Sequence, residues 1–379
     1  MRLAILIPGF SAGPDDWCIP AQLSLARRLS AEAEVHVFPL RYPHHRQPYQ
    51  VERITVHPLG GGETRGAARL ALLTRAMAAV MREHRRRPFD VLHAMWADEP
   101  GFVAALVGGW LGIPTVVSLL GGELVALADI GYGGQLSLLN RGLARVALRR
   151  AARVLVGSAY LRRLAAPYTP SERLICLPIG VNTDLFRPTP RSDEPAVHLR
   201  GAPALLHAAS LTPVKDQTTL LRAVARLVPE FPTLHLHLLG QGPLDRQLQT
   251  LTQSLGIHNH VTFHGPISHT AMPAYYRAAD LCVLASRHEG QEFATLEAAA
   301  CGRATVGTAV GLLPDLLPAP CVARPGDDEG LSAALRWALA DPARLAHLHT
   351  TAGEAVYSHY TLTQTVTNLY ALYHQLLGN

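Results

Sequence analysis

The chain has 379 residues, 48% of them apolar and 17% charged: room for two to three packed domains, and too apolar for wholesale disorder. The net charge of +5 is unevenly spread, with +8 on residues 1–180 and −3 on residues 181–379, which points to two domains with different partners. Five scattered cysteines without a CxxC fit a reducing compartment and argue against a disulfide framework.

The opening run Met1–Gly9 is too short for a signal peptide and lacks a cleavage site; it reads as a buried strand over 2–7. Strands follow near 34–38, 89–93, 115–119, 153–157 and 173–177, with amphipathic helical stretches such as 65–83 and 136–150 between them. From Gly101 to Gly122 there is no charge for 22 residues, nominally enough to span a bilayer. Gly112-Ile113-Pro114 cuts this run into a helix, Phe102–Leu111, and a short β-rich strand. The chain therefore reads as soluble, or bound to a membrane only at its surface.

The segment Asp184 to Gly201, with Pro188, Pro190 and Pro195, has linker composition. Beyond it, strands near 204–209, 234–239, 260–263, 280–284 and 304–307 alternate with helices near 216–228, 243–255, 292–300 and 329–340. The tail, 362–377, is one amphipathic helix that either domain could receive. Short apolar strands alternating with helices mean an α/β protein built from parallel sheets covered on both faces. Each half has enough units for its own doubly wound sheet. The expected domains are 1–183, with 358–379 added, and 184–357. Ligands of such sheets sit at the carboxyl ends of the strands, so two facing sheets would leave a cleft between them.

Chemistry concentrates in Ser286–Gly302, a strand end, a turn containing Gly290 and an Ala-rich helix. A helix start of this kind offers free N–H groups and a positive dipole end to an anion such as phosphate. Glu289 and Glu297 stand eight residues apart across that turn. The plain alternative is acids complementing a helix dipole, which covers Glu289 and Glu292 but not Glu297. Lys215 is the single lysine among 34 basic residues. None of the 19 histidines has a zinc spacing, and Asp15-Asp16 and Asp327-Asp328 read as a helix start and a turn, so no metal site is expected.

Glu289-x7-Glu297 followed by Ala298-x-Ala300-Cys301-Gly302, an apolar strand and Gly311 resembles the retaining GT-B glycosyltransferases, glycosyltransferase family 4 in particular. Gly180-Val181-Asn182-Thr183-Asp184-Leu185-Phe186, Leu239-Gly240-Gln241-Gly242-Pro243, Val261–Gly265 and Tyr275–Asp280 resemble further signatures of that group, in the same order. Lys215 falls at the family's diphosphate-binding lysine. The likeness covers nearly all of the second half and is weaker in the first.

The resemblance implies two Rossmann-like domains facing across a cleft, with the C-terminal helix crossing back to the first. It implies a retaining transfer of a hexose from a nucleotide-diphosphate sugar to a hydroxyl of a glycan or lipid-linked glycan, without metal or cofactor. Lys215 and Glu289 would be the catalytic pair, the cation meeting the leaving diphosphate and the carboxylate the sugar. Glu297 would hold the ribose, and Gly290, Gln291, Glu292, Phe293, Ser210, Gly240 and Gly265 would complete the donor site. Gly13, His93 and Glu123 are the acceptor-side candidates, with a packed histidine as good a reading for His93.

Three departures from the family pattern stand out. Ser210 occupies a position where an Arg is frequent, Glu292 adds an anion beside the expected phosphate, and Leu120 replaces a histidine. The rival readings are a sugar-nucleotide epimerase or hydrolase and a catalytically weak nucleotide-sugar binder. The Arg clusters 82–87 and 141–153 read first as solvated faces; the sharper reading is attraction of a cytoplasmic protein to anionic lipid, on the inner face of the membrane, or to an acidic glycan. Nucleic acid is disfavoured, because no aromatic platform interleaves with the arginines.

Overall fold

A computed structural model describes every residue except Pro14, Asp15, Trp17, Asp193 and Asn379. The Asp15 half of the Asp15-Asp16 pair therefore lies outside the described residues. The chain divides into two compact units, Met1–Ile179 with Leu362–Asn379, and Gly180–Thr361.

In the first unit the strands are β1 (Arg2–Gly9), β2 (Glu34–Tyr42), β3 (Tyr49–Val51), β4 (Ile54–Val56), β5 (Val91–Met95), β6 (Thr115–Leu119), β7 (Arg153–Val156) and β8 (Leu174–Cys176). They lie in the order β3-β4-β2-β1-β5-β6-β7-β8, parallel except for the β3–β4 hairpin. Helices α1 (Pro20–Leu29), α2 (Gly66–Arg86), α3 (Glu99–Leu111), α4 (Leu138–Arg150) and α5 (Ala159–Ala165) connect them. Residues such as Leu6, Val37, Leu92, Val117 and Val154 are fully buried, as a sheet covered on both faces requires. The uncharged run after Gly101 resolves into α3, β6 and the Gly112 turn between them, whose left-handed φ of 69° closes the helix. Among the described residues no helix is long and apolar enough to cross a membrane.

In the second unit β9 (Ala204–Ala208), β10 (His235–Leu239), β11 (Val261–Gly265), β12 (Leu281–Leu284), β13 (Thr305–Thr308) and β14 (Val322–Ala323) form a wholly parallel sheet in the order β11-β10-β9-β12-β13-β14. Its helices are α6 (Gln217–Leu227), α7 (Asp245–Ser254), α8 (Met272–Ala278), α9 (Phe293–Ala300), α10 (Leu313–Leu316), α11 (Asp328–Leu339) and α12 (Pro342–His359). Asp327 is no turn residue: its carboxylate caps α11 by accepting the Gly330 N–H.

The last helix, α13 (Leu362–Leu377), belongs to the first unit. Its apolar stripe, including Val366, Leu369 and Tyr373, is buried there, and the Tyr370 hydroxyl donates to the Leu29 carbonyl at the end of α1.

Strand order locates the ligand crevices. In the second sheet the order reverses between β9 and β12; in the first it reverses between β1 and β5. Loops leaving neighbouring strands at such a point diverge to opposite faces and open a crevice at the carboxyl edge. The loops at these carboxyl edges are those after β9 and β12, and those after β1, β5 and β6.

Candidate active site

The loop after β9 ends in a tight turn, Pro213–Lys215, and Asp216, at φ 47°, caps α6 by accepting the Thr219 N–H. The loop after β12 carries Ser286–Glu292. The two are tied by main chain, the Arg287 N–H donating to the Val214 carbonyl at 2.7 Å. This brings Lys215 Nζ to 2.6 Å from Glu289 Oε1. The Ser286 hydroxyl donates to the same oxygen at 2.5 Å, and the Thr308 hydroxyl on β13 donates to the Ser286 carbonyl. Glu289 is 7% exposed, while the Lys215 side chain keeps contact with solvent. A partly open ammonium on a buried carboxylate is an ion pair whose cation can still turn to an incoming anion.

Gly290, Gln291 and Glu292 are buried, and Phe293 at the start of α9 is partly exposed. Glu292, at the N-cap of α9, makes no side-chain cap bond. Glu292 does not crowd an anion at this helix start: both of its oxygens accept the Leu312 N–H, at 2.8 and 2.9 Å. Burial, reinforced by the Glu289 charge, pushes its carboxyl up to about 8, so near neutral pH it is uncharged. Gly311 makes room for it. Its φ is +57°, and a Cβ there would lie 1.8 Å from Glu292 Oε2.

Glu297 sits one turn into α9. The Tyr276 hydroxyl on α8 donates to Oε2 at 2.9 Å, and His269 Nε2 lies 3.3 Å from Oε1. Phe186, buried in the segment that opens this unit, packs edge-on against both rings. Tyr276, His269 and Ser286 therefore position the two glutamates. Ser286 was legible only as the strand end that opens this segment, and Tyr276 only as part of a family motif.

The glycines close the neighbouring loops. Gly240, at φ 128°, could not carry a Cβ, which would lie 2.1 Å from the Ala209 carbonyl oxygen. Its N–H donates to the Gly265 carbonyl at 2.8 Å. Ser210 is exposed beside this turn, its hydroxyl 3.4 Å from that of Thr212.

In the first unit the loops after β5 and β6 enclose a cavity of about 250 Å3 lined by Trp96, Asp98, Gly122, Glu123, Tyr132 and Asn140, among others. Trp96 is held at φ 75°, a left-handed conformation costly for a large side chain. Glu123 is 5% exposed and accepts the N–H groups of Leu120 and Gly121. Burial, with Asp98 nearby, pushes its carboxyl up to about 7. Burial, with Glu99 beside it, pushes Asp98 up to about 6, and its Oδ1 has no partner among the described residues. Sequence reading missed Asp98 because an acid at a helix start is ordinarily a cap, and this one makes no cap bond.

His93 does not reach a ligand surface. It is 1% exposed, with Nδ1 2.6 Å from the Tyr373 hydroxyl and Nε2 2.8 Å from the Ser118 hydroxyl; burial pushes its pKa down to about 3. It is a core histidine between β6 and α13, and its candidacy as an acceptor contact is withdrawn. Gly13 sits in the turn after β1, where its carbonyl accepts the Asp16 N–H. Among the described residues no group of three His, Cys, Asp or Glu side chains is placed to hold a metal ion.

Comparison with known proteins places this geometry. The family model for glycosyl transferases group 1 matches residues 202–341, and that for glycosyltransferase family 4 matches residues 23–185. A GDP-mannose-dependent alpha-(1-6)-phosphatidylinositol monomannoside mannosyltransferase of Mycolicibacterium smegmatis is 30% identical over 262 residues, 62% of this chain and 68% of that one. The chain belongs to glycosyltransferase family 4. It is a glycosyltransferase with the GT-B fold. The fold also appears in sucrose-phosphate synthase of Thermosynechococcus elongatus, with a TM-score of 0.78 at 20% identity over all of both chains. Anabaena HepE, solved in complex with UDP-glucose, has a TM-score of 0.73 at 17% identity over 98% of this chain and 99% of that one. In this glycosyltransferase the Glu289–Lys215 and Glu297–Tyr276 pairs both lie in the stretch that the group 1 model matches.

Proposed function

We propose that this glycosyltransferase moves a hexose from a nucleotide-diphosphate sugar to a hydroxyl of a glycan or lipid-linked glycan, with retention of anomeric configuration and without a metal ion or cofactor. The observation that carries the reading is the Lys215–Glu289 pair at 2.6 Å, at the edge where the second sheet reverses its strand order. Breaking the bond between sugar and diphosphate develops negative charge on the leaving oxygen, and a pre-placed cation stabilises that charge without reorganising solvent. Lys215 fills this role as a point charge in place of a metal. Glu289 then accepts hydrogen bonds from sugar hydroxyls, and the amides at the start of α9 add donors to the diphosphate. Glu297, oriented by Tyr276, accepts the ribose hydroxyls.

On the acceptor side we assign the cavity of Asp98 and Glu123, whose carboxylates accept from acceptor hydroxyls while Trp96 and Tyr132 offer ring faces. The donor reading draws support from the mannosyltransferase that uses GDP-mannose and from HepE solved with UDP-glucose. Five free thiols support a reducing, cytoplasmic setting, with any membrane contact peripheral.

A thermal-shift screen with UDP- and GDP-sugars tests the donor, since a ligand that binds only the folded protein raises its melting temperature. Nucleotide release with and without acceptor glycosides follows. Acceptor-dependent release with an α-linked product from an α-donor supports the proposal. Release that ignores acceptor points to a hydrolase or epimerase, and donor binding without release points to a binding protein.

A further inference from the structure

A second cavity in the first unit, of about 200 Å3, opens between α2 and the segment that follows β4, away from the loops after β5 and β6. Arg46, Arg75 and Arg82 line it together with His57, and none of its described lining residues is acidic. The arginines are held in place. Gly60, at φ +58°, lets the 43–48 segment fold close, and a Cβ there would lie 3.0 Å from Arg46 Cγ. Arg75 Nη2 donates to the Leu59 carbonyl at 2.8 Å, while its Nε is buried with no partner. Arg82 Nε stands 3.5 Å from Glu83, whose carboxylate also takes Arg86. Among the described residues no carboxylate pairs with Arg46 or Arg75.

His57 forms the fourth wall. His57 is 7% exposed, its ring stacked on His36 and Phe38, and its Nε2 lies 2.9 Å from His36 Nδ1. That fixes the ring and leaves Nδ1 buried with no partner. Three guanidiniums around one small space repel one another unless an anion joins them.

We propose that this cavity binds a phosphate group. Guanidinium forks match the oxygens of a tetrahedral phosphate. The space holds a phosphate with its ester carbons and is below the range usual for a whole nucleotide. Two sources supply that chemistry, a phospholipid headgroup or a soluble phosphate ester, and the experiment separates them.

Glycerol 3-phosphate is titrated against the full chain by calorimetry, and cosedimentation is measured with vesicles of phosphatidylcholine alone and of phosphatidylcholine with phosphatidylglycerol. The variants are Arg75→Gln, Arg46→Gln and, as a control on the exposed face of α2, Arg85→Gln. Arg46 is exposed, so its variant keeps the test valid if Arg75→Gln fails to fold. Binding of glycerol 3-phosphate that weakens about tenfold in Arg46→Gln or Arg75→Gln, with Arg85→Gln unchanged, supports the site and a soluble ester. Vesicle binding that requires phosphatidylglycerol and shows the same variant pattern, without uptake of the soluble ester, supports the site and a lipid headgroup. No binding to either probe, or binding that Arg85→Gln weakens as much as the cavity variants do, overturns the proposal.

Discussion

Lys215 Nζ and Glu289 Oε1 meet at 2.6 Å although 74 residues separate them in the chain. The contact exists because β9 and β12 are neighbours in the sheet and their following loops are bonded through Arg287 and Val214. Lys215→Met should lower nucleotide release by about a hundredfold or more, as loss of a charge-stabilising donor does. It should also cost some stability by leaving Glu289 buried without its cation. Glu289→Gln keeps a hydrogen-bonding oxygen for Ser286 and Lys215, so it should melt near the parent while release falls. Steady-state kinetics and thermal melts on both variants separate the two effects.

Gly311→Ala forces a methyl group into the Glu292 carboxylate and places a side chain at positive φ. A cost of several kcal/mol is the expectation, of which the left-handed backbone accounts for about 1–2 kcal/mol. Combining it with Glu292→Ala removes the collision and should recover part of the loss. Simple additivity of the two substitutions in a denaturation cycle would count against the contact.

Glu292, Glu123 and Asp98 all have folded pKa values above their ordinary ones, about 8, 7 and 6. The folded chain thus binds more protons than the unfolded chain between about pH 4 and pH 8. By linkage these groups stabilise the fold at the acid end of that window and lose their contribution as pH rises through it. Glu292→Gln, which still accepts from Leu312, should flatten the fall in stability between pH 5 and pH 8. An unchanged slope in urea denaturation would remove the basis for a neutral Glu292.

The cavity of Asp98 and Glu123, proposed for the acceptor, has a pH effect of its own. Its carboxylates accept from hydroxyls most strongly when ionised, so the KM for acceptor should fall as pH rises through about 6 to 7. Asp98→Asn should raise that KM and weaken its pH dependence while the KM for donor holds. Initial rates over a matrix of donor and acceptor concentrations test this.

Tyr276→Phe removes one hydrogen bond to Glu297, and a net loss of about 1 kcal/mol is usual for such a change. It should raise the KM for donor several-fold with little change in kcat, the pattern of a positioning residue. A fall in kcat alone would contradict the role given to Glu297.

Much of the fold was legible in the residues. β6 runs over the residues expected, Thr115–Leu119, because Gly112 and Pro114 mark its start and a buried parallel strand is a continuous apolar run. The tail helix was legible from its 3.6-residue period. The β3–β4 hairpin was not: each strand has three residues, and the turn uses Glu52, at φ 55°, where Asn-Gly or Asp-Gly is the usual signal. The candidate site was legible where one short segment carries it, at Glu289 and Glu297. It was opaque where the partner lies on another element of the chain, as with Tyr276 for Glu297 and Leu312 for Glu292. The same opacity left His93 open between the core and the acceptor side, because its partners Ser118 and Tyr373 come from β6 and the last helix.

Local pattern settled the element types, the two α/β halves and the residues that face a strand's carboxyl end, because these follow from periodicity and turn chemistry within a few residues. Tertiary packing alone decided which carboxylates carry charge and which histidine is only core. Burial and distant partners set a pKa and a side chain's direction, and neither is encoded in the neighbours of a residue along the chain.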